Sequence, residues 1–230
     1  MKISMVISIK DVSKSFGEFK ALDKVSLEVG KGHLFGLLGP NGSGKSTLIK
    51  LMTGQIMPSG GTIKIQGSNP SRDPLKVRTK CGIIPEQETP PSFLTAEEYL
   101  HFVAEIRGKG AGEIDGWMDF LDFRNEKDKL CKDLSRGTRQ KLMFAQAFLH
   151  KPSVAFIDEP LINLDPIIQA KIKQFLVSKM RSGSTIFLST HVLEIAQEIC
   201  SQIAIISKGK IIYTGKVKKD LDRFFLKKVD

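Results

Sequence analysis

The chain has 230 residues, 41% of them hydrophobic and 26% charged, with a formal net charge of +10. That length buries a sizeable core and fits one domain, and the composition is that of an ordinary globular protein rather than a disordered or fibrous one. No apolar run approaches the roughly 18–20 residues needed to cross a bilayer, so a membrane role requires a separate spanning polypeptide.

Met1 to Ile9 alternates polar and apolar residues and lacks a small-residue cleavage site, so it is expected to be a strand rather than a signal peptide. Strand alternation recurs at Val25 to Val29, with a Gly-containing turn at Ser15 to Glu18 between the two. His33-Leu-Phe-Gly-Leu-Leu38 is mostly apolar, as a strand buried on both faces should be, and it runs directly into Gly39-Pro-Asn-Gly-Ser-Gly-Lys-Ser-Thr47. A helix is predicted over Lys45 to Met52, stopped by Gly54 and Pro58. Short strands are predicted at Thr62 to Gln66 and Gly82 to Ile84. The middle then turns helical, at Thr95 to Ile106 behind a Thr95/Glu98 capping-box pattern, at Ile114 to Phe123 and at Thr138 to Leu149. Strands return at Val154 to Asp158, Ser184 to Ser189 and Gln202 to Ser207, with helices between them. This alternation predicts an α/β fold with a mostly parallel central sheet, N-terminal antiparallel strands and a helical subdomain at about residues 88–152.

Charge and cysteines carry less information. The lysines are spread along the chain, with one concentration at Lys216, Lys218, Lys219, Lys227 and Lys228. This segment reads as a solvated tail, or next as an attraction to an anionic membrane surface; no aromatic-basic pattern of a single-strand binder accompanies it. Cys81, Cys131 and Cys200 are far apart and odd in number, which suggests buried thiols rather than a disulfide framework or a zinc site.

Gly39-x-x-x-x-Gly44-Lys45-Ser46 is the spacing of a phosphate-binding loop. Glycines let successive backbone N–H groups turn inward around phosphate oxygens, Lys45 can neutralise the β- and γ-phosphates, and Ser46 can offer its hydroxyl to Mg²⁺. The helix that starts there points the positive end of its dipole at the same place. Pro40, Asn41, Gly42, Ser43 and Thr47 complete the expected ATP-binding stretch. Farther on, the strand Ser153 to Ile157 ends in Asp158-Glu159. Asp158 is placed to hold Mg²⁺ at the carboxyl end of the sheet, and Glu159 to act as general base on the attacking water.

With these two motifs, Leu134-Ser-Arg-Gly-Thr138, Leu164-Asp165 and Ser189-Thr-His191 make the chain resemble the ATP-binding subunits of ABC transporters over essentially its whole length. The details are most similar to single-domain subunits of bacterial drug- or antibiotic-efflux exporters. The resemblance implies one ABC ATPase domain over residues 1–230, of P-loop NTPase fold, with the helical subdomain inserted before the signature. It also implies that Ser135, Arg136, Gly137 and Thr138 form that signature and contact the γ-phosphate of ATP held by a second subunit. His191 is then the switch histidine, Asp165 couples the two ATP sites, Glu86 (or Gln87 beside it) touches Mg²⁺, and Phe16 stacks on adenine. The third and fifth signature positions, Arg136 and Thr138, depart from the usual Leu-Ser-Gly-Gly-Gln, as do Leu161 and Asn163 in the loop before Asp165. Asparagine tolerates the left-handed backbone expected there.

The implied partners are a separate transmembrane permease, with Pro90 to Leu94 as part of the docking surface, and a second ATP-binding subunit, most simply another copy. The implied location is the cytoplasm, peripheral on the inner face of the cell membrane. Related ATPases that act on nucleic acid or ribosomes are the alternative class. Those usually carry a long coiled coil, zinc modules or two heads in one chain, none of which is legible here, so no nucleic acid is expected.

Overall fold

Leu34-Phe-Gly-Leu-Leu38 forms strand β3 (Leu34–Leu38), and all five residues are buried. The same is true of β6 (Val154–Asp158) and β7 (Thr185–Thr190). Side chains alternate across a strand, so each apolar run feeds two cores. Leu34, Leu38, Ala155, Ile157, Ile186 and Leu188 face one core, while Phe35, Leu37, Val154, Phe156 and Phe187 face the other. The computed structural model describes residues 5–87, 90–161 and 164–229. With β5 (Cys81–Ile84), β8 (Gln202–Ser207) and β9 (Lys210–Lys216), these strands form a six-stranded sheet of order β5-β6-β7-β3-β8-β9. All its pairings are parallel except that of β8 with β9.

A second, antiparallel sheet has the order β2-β1-β4, from β1 (Met5–Phe16), β2 (Phe19–Gly30) and β4 (Gly60–Ile65). Val25, Leu27 and Val29 of β2 are buried while Ser26 and Glu28 are exposed, the alternation of a sheet with one wet face. Its apolar face joins Phe35, Phe156 and Phe187 of the central sheet, with helix α1 (Lys45–Met52) in the same core. On the opposite face lie α3 (Ala96–Ile106), α4 (Ile114–Phe120), α5 (Arg136–Phe148), α6 (Pro166–Arg181) and α7 (Leu193–Ile199). The Thr95/Glu98 capping box starts α3 as expected. Trp117, Phe144, Phe148 and Phe175 pack ring against ring and lock α4, α5 and α6 together.

Several elements differ from the sequence reading. The first two strands run longer, almost to a two-residue turn at Gly17 and Glu18, because the hairpin pairs as far as Phe16 with Phe19. The helix expected to reach Phe123 stops at Phe120, and Asp122 takes a positive φ of 54°. A short helix α2 (Pro74–Arg78), with proline at its first turn, lies where none was expected. The C-terminal basic segment is not a solvated tail. It forms α8 (Leu221–Val229), in which Leu221 is buried and Phe224, Phe225 and Val229 pack on the core, leaving Lys227 and Lys228 outside. The three cysteines are free and buried, and burial pushes the thiols of Cys81 and Cys200 up to about 12. Residues 1–4, Asn163 and the start of the expected helical subdomain at residues 88–89 lie outside the described residues.

Candidate functional site

The loop between β3 and α1 is shaped by its glycines. Gly44 has φ 109°, and a Cβ there would press on the Ala21 carbonyl at 2.9 Å and on Leu22 at 2.7 Å. A Cβ on Gly39 would collide with the Ile206 carbonyl, so the loop lies hard against β8. Lys45 opens α1 and folds back over the loop, its Nζ donating to the carbonyls of Gly39 (2.8 Å) and Pro40 (3.2 Å). Its ammonium is buried, which pushes its pKa down, and the carboxylates of Glu159, Asp158 and Glu86 push it back. Ser43 Oγ is buried against Gly39 and has no hydrogen-bond partner among the described residues. A buried cation beside the Glu159 carboxylate and a hydroxyl turned into a glycine loop suit a polyphosphate ligand.

The acidic pair lies across the cleft. Asp158 ends β6, accepts a hydrogen bond from the Ser189 hydroxyl of β7, and has its pKa raised chiefly by burial. Glu159 follows in left-handed backbone, φ 50°, a conformation that costs energy for a residue with a side chain and directly before Pro160. Its carboxylate is heavily bonded. Oε2 accepts from Thr190 Oγ1 (3.1 Å), and Oε1 accepts from the His191 backbone N–H (2.9 Å). His191 Nδ1 lies 2.8 Å from the same Oε1, and Lys45 Nζ is 3.9 Å away. Asp158, Glu159, His191 and Lys45 therefore converge on one spot, supplied by three adjacent parallel strands at their carboxyl ends.

Ser46, Glu86 and Asp158 also converge. Ser46 Oγ donates to Glu86 Oε2 at 3.1 Å, and the Ser46 hydroxyl lies near enough to Asp158 to pull that carboxyl's pKa down against the effect of burial. Two carboxylates and a hydroxyl form a hard, all-oxygen donor set, which fits Mg²⁺ with water completing its shell. Gln87 follows Glu86 in an exposed position.

Lys45, Ser46, Glu86 and Glu159 line an open cleft of about 310 Å³, together with Asn41, Gly42, Gly44, Thr47, Ala21 and Phe19, while Asp158 and His191 do not line it and meet it through their neighbours, His191 through Glu159. Phe16 is not among the lining residues. It lies at the end of the same hairpin, paired with Phe19, half exposed, with Lys14 Nζ 4.8 Å from its ring centroid. Phe19, 65% exposed, is the aromatic that edges the cleft, and no sequence signal singled it out. Gln140 was missed as well: it is buried in α5 and its Nε2 donates to the Pro160 carbonyl at 3.0 Å, tying α5 to the segment after Glu159.

None of Ser135, Arg136, Gly137 and Thr138 lines this cleft. They start α5, where Ser135 caps the helix by accepting from the Thr138 N–H at 3.1 Å. Ser135 and Arg136 are exposed, and Thr138 is buried. Asp165 caps α6 in the same way, accepting from the Ile168 N–H at 2.9 Å, and that bond first of all holds its carboxyl below the usual range.

Comparison with known proteins gives a consistent result. The family described as ABC transporter matches residues 22–162. The bacitracin transport ATP-binding protein BcrA of Enterococcus faecalis is 34% identical over 215 residues, covering 92% of this chain and 70% of that protein. Among solved structures, an ATP-binding subunit of an ABC transporter superposes with a TM-score of 0.87 at 29% identity, covering 96% of this chain and 94% of the other. The dimeric post-hydrolysis cassette MJ0796 bound to ADP and Pi superposes at 0.85 and 23% identity, over 92% and 99% of the two chains, a likeness of fold.

Proposed function

The chain belongs to the ABC transporter family of ATP-binding proteins and is an ATPase of that family, and on that premise we propose that it powers a bacterial exporter through dimers that close on ATP. The observation that carries this reading is the division of the chemistry. The loop, Glu86 and Glu159 share one open cleft, with His191 bonded to Glu159, while none of the signature residues at the start of α5 lines it. A second subunit is the natural source of the missing wall, and the name of the bacitracin-transport relative supports a role in transport.

On ATP binding, Lys45 exchanges its two loop carbonyls for β- and γ-phosphate oxygens, and the N–H groups of Gly39 to Thr47 wrap the phosphates. Ser46, Asp158 and Glu86 (or Gln87) would hold Mg²⁺, which would supply charge neutralisation on the phosphates. Glu159 accepts the proton of the water that attacks the γ-phosphorus, and His191 fixes the carboxylate through its two contacts with Oε1. Ser135 to Thr138 of the opposite subunit complete the site around the γ-phosphate, and Asp165 links the two sites. Closure therefore depends on the γ-phosphate, and hydrolysis releases it.

No helix among the described residues is long and apolar enough to cross a membrane. We assign spanning to a separate permease that docks at Pro90 to Leu94, where Phe93 is exposed, with the chain peripheral on the cytoplasmic face of the membrane. The whole of residues 1–230 acts as one ATPase domain whose helical subdomain, at about 88–152, carries the motion.

Glu159→Gln tests this reading. It keeps the side chain's shape and removes the base, so hydrolysis should fall by about 10²- to 10⁴-fold while ATP stays bound. The variant should then elute as a dimer with saturating ATP·Mg²⁺ on a sizing column. A monomer under those conditions contradicts the proposal.

A further inference from the structure

The signature contains a proton-direction problem that a second residue solves. Thr138 Oγ1 donates to Glu126 Oε1 at 3.0 Å, and Glu126 Oε2 accepts from Lys129 Nζ at 3.3 Å. A carboxylate accepts only, and a threonine hydroxyl has one proton, so that proton is committed to Glu126. Ser135 Oγ lies 2.9 Å from Thr138 Oγ1, and in this pair either oxygen can be the donor by distance alone. With Thr138 already committed, Ser135 must donate. Its oxygen meanwhile accepts from the Thr138 N–H. The single proton of Ser135 therefore points inward, along the relay Ser135→Thr138→Glu126.

A γ-phosphate is an acceptor only, so Ser135 can help bind it only by turning that proton outward. We infer that Glu126 is a positioning residue that holds the Ser135 hydroxyl in its inward, non-binding orientation and so sets the ATP concentration at which two subunits close. Thr138 is what connects the two, being buried between them. The departure from the usual glutamine at this position thus has a consequence: a threonine hydroxyl passes hydrogen-bond polarity from Glu126 to Ser135. When the partner's ATP arrives, the Ser135 O–H rotates, Thr138 loses its incoming bond, and the Thr138–Glu126 bond remains. The inference rests on the proposal that this signature meets ATP in trans.

E126Q and Thr138→Val break the relay in different ways. In E126Q the amide N–H can donate to Thr138, which then donates to Ser135 and frees the serine proton. Thr138→Val removes the inward acceptor and leaves the Glu126 charge in place. Each is made in the Glu159→Gln background, and dimer formation is followed by light scattering against ATP·Mg²⁺ concentration. Each should lower the half-saturating ATP concentration by about three- to tenfold, the worth of one hydrogen bond. ATP affinity of the monomer, by calorimetry, should not move. In a Ser135→Ala background E126Q should give no gain, because no proton is left to redirect. An unchanged or raised ATP requirement in E126Q or Thr138→Val overturns the inference, and so does an equal E126Q gain with Ser135→Ala, which makes charge alone the cause. If Glu159→Gln stays monomeric at every ATP concentration, with and without E126Q, the trans reading itself fails and takes the relay with it.

Discussion

In the loop cleft, Lys45 is buried and Glu159 nearly so, and the two are cross-braced, each held by partners from a different strand or loop. At the N-terminal end of α5, Ser135 and Arg136 are exposed, and the side-chain hydroxyls of Ser135 and Thr138 bond to one another and to Glu126. The first region gathers the chemical groups around an open cleft; the second is a capped helix end that, in the proposed dimer, acts on ATP held by the other chain. Preorganised polar groups in a low-dielectric cleft do chemistry, because they need little rearrangement at the moment of reaction. An exposed helix N-terminus can only recognise an anion brought to it.

Lys45→Ala attacks the first region and should have the largest effect. It removes a buried charge-assisted donor to the phosphates, so ATP affinity by calorimetry should fall by about 10- to 100-fold or more, while Ser135→Ala should leave the monomer's affinity unchanged. Equal losses in both would erase the distinction between the two regions.

A smaller effect sharpens the edge of the cleft. If Phe19 stacks on adenine, Phe19→Ala should raise the half-saturating ATP concentration by about five- to tenfold and Phe16→Ala by less. The reverse order would return the role to Phe16, with Phe19 its support across the hairpin.

The smallest effect lies just past the other end of α5, where His150 is 9% exposed and neither ring nitrogen has a hydrogen-bond partner of ordinary geometry among the described residues. Burial first, then the nearby Arg107 charge, pushes its pKa down from 6.5 to about 4. The folded state thus resists protonation that the unfolded chain accepts. The neutral histidine's contribution is intact above pH 6.5 and is lost progressively as pH falls towards about 4, at up to about 1.4 kcal/mol per pH unit. Thermal midpoints at pH 7 and pH 5 should therefore differ by several degrees more in the unchanged protein than in His150→Leu. Parallel pH profiles would refute this assignment.

Much of this was legible in the sequence, for physical reasons that differ from element to element. β3, β6 and β7 announce themselves because a strand buried on both faces has to be a continuous apolar run. The loop and the Asp158-Glu159 pair are legible because phosphate and Mg²⁺ chemistry demands particular residues at fixed spacing. Other features depend on contacts that spacing does not reveal. Phe19 edges the cleft only because the hairpin folds tightly at Gly17, and Glu126 meets Thr138 twelve residues away. The helix α8 was hidden by its own lysines, although Leu221, Phe224, Phe225 and Val229 recur at helical spacing.

On the proposed reading each chain holds only half of a working ATP site. Its most direct test is ATP turnover per chain of the unchanged protein, at saturating ATP·Mg²⁺, measured over a wide range of protein concentration. Turnover per chain should rise with concentration to a plateau and fall away on dilution, as two chains are needed for each site. A turnover that stays constant down to the most dilute sample, in protein shown by light scattering to be monomeric there, would contradict the account.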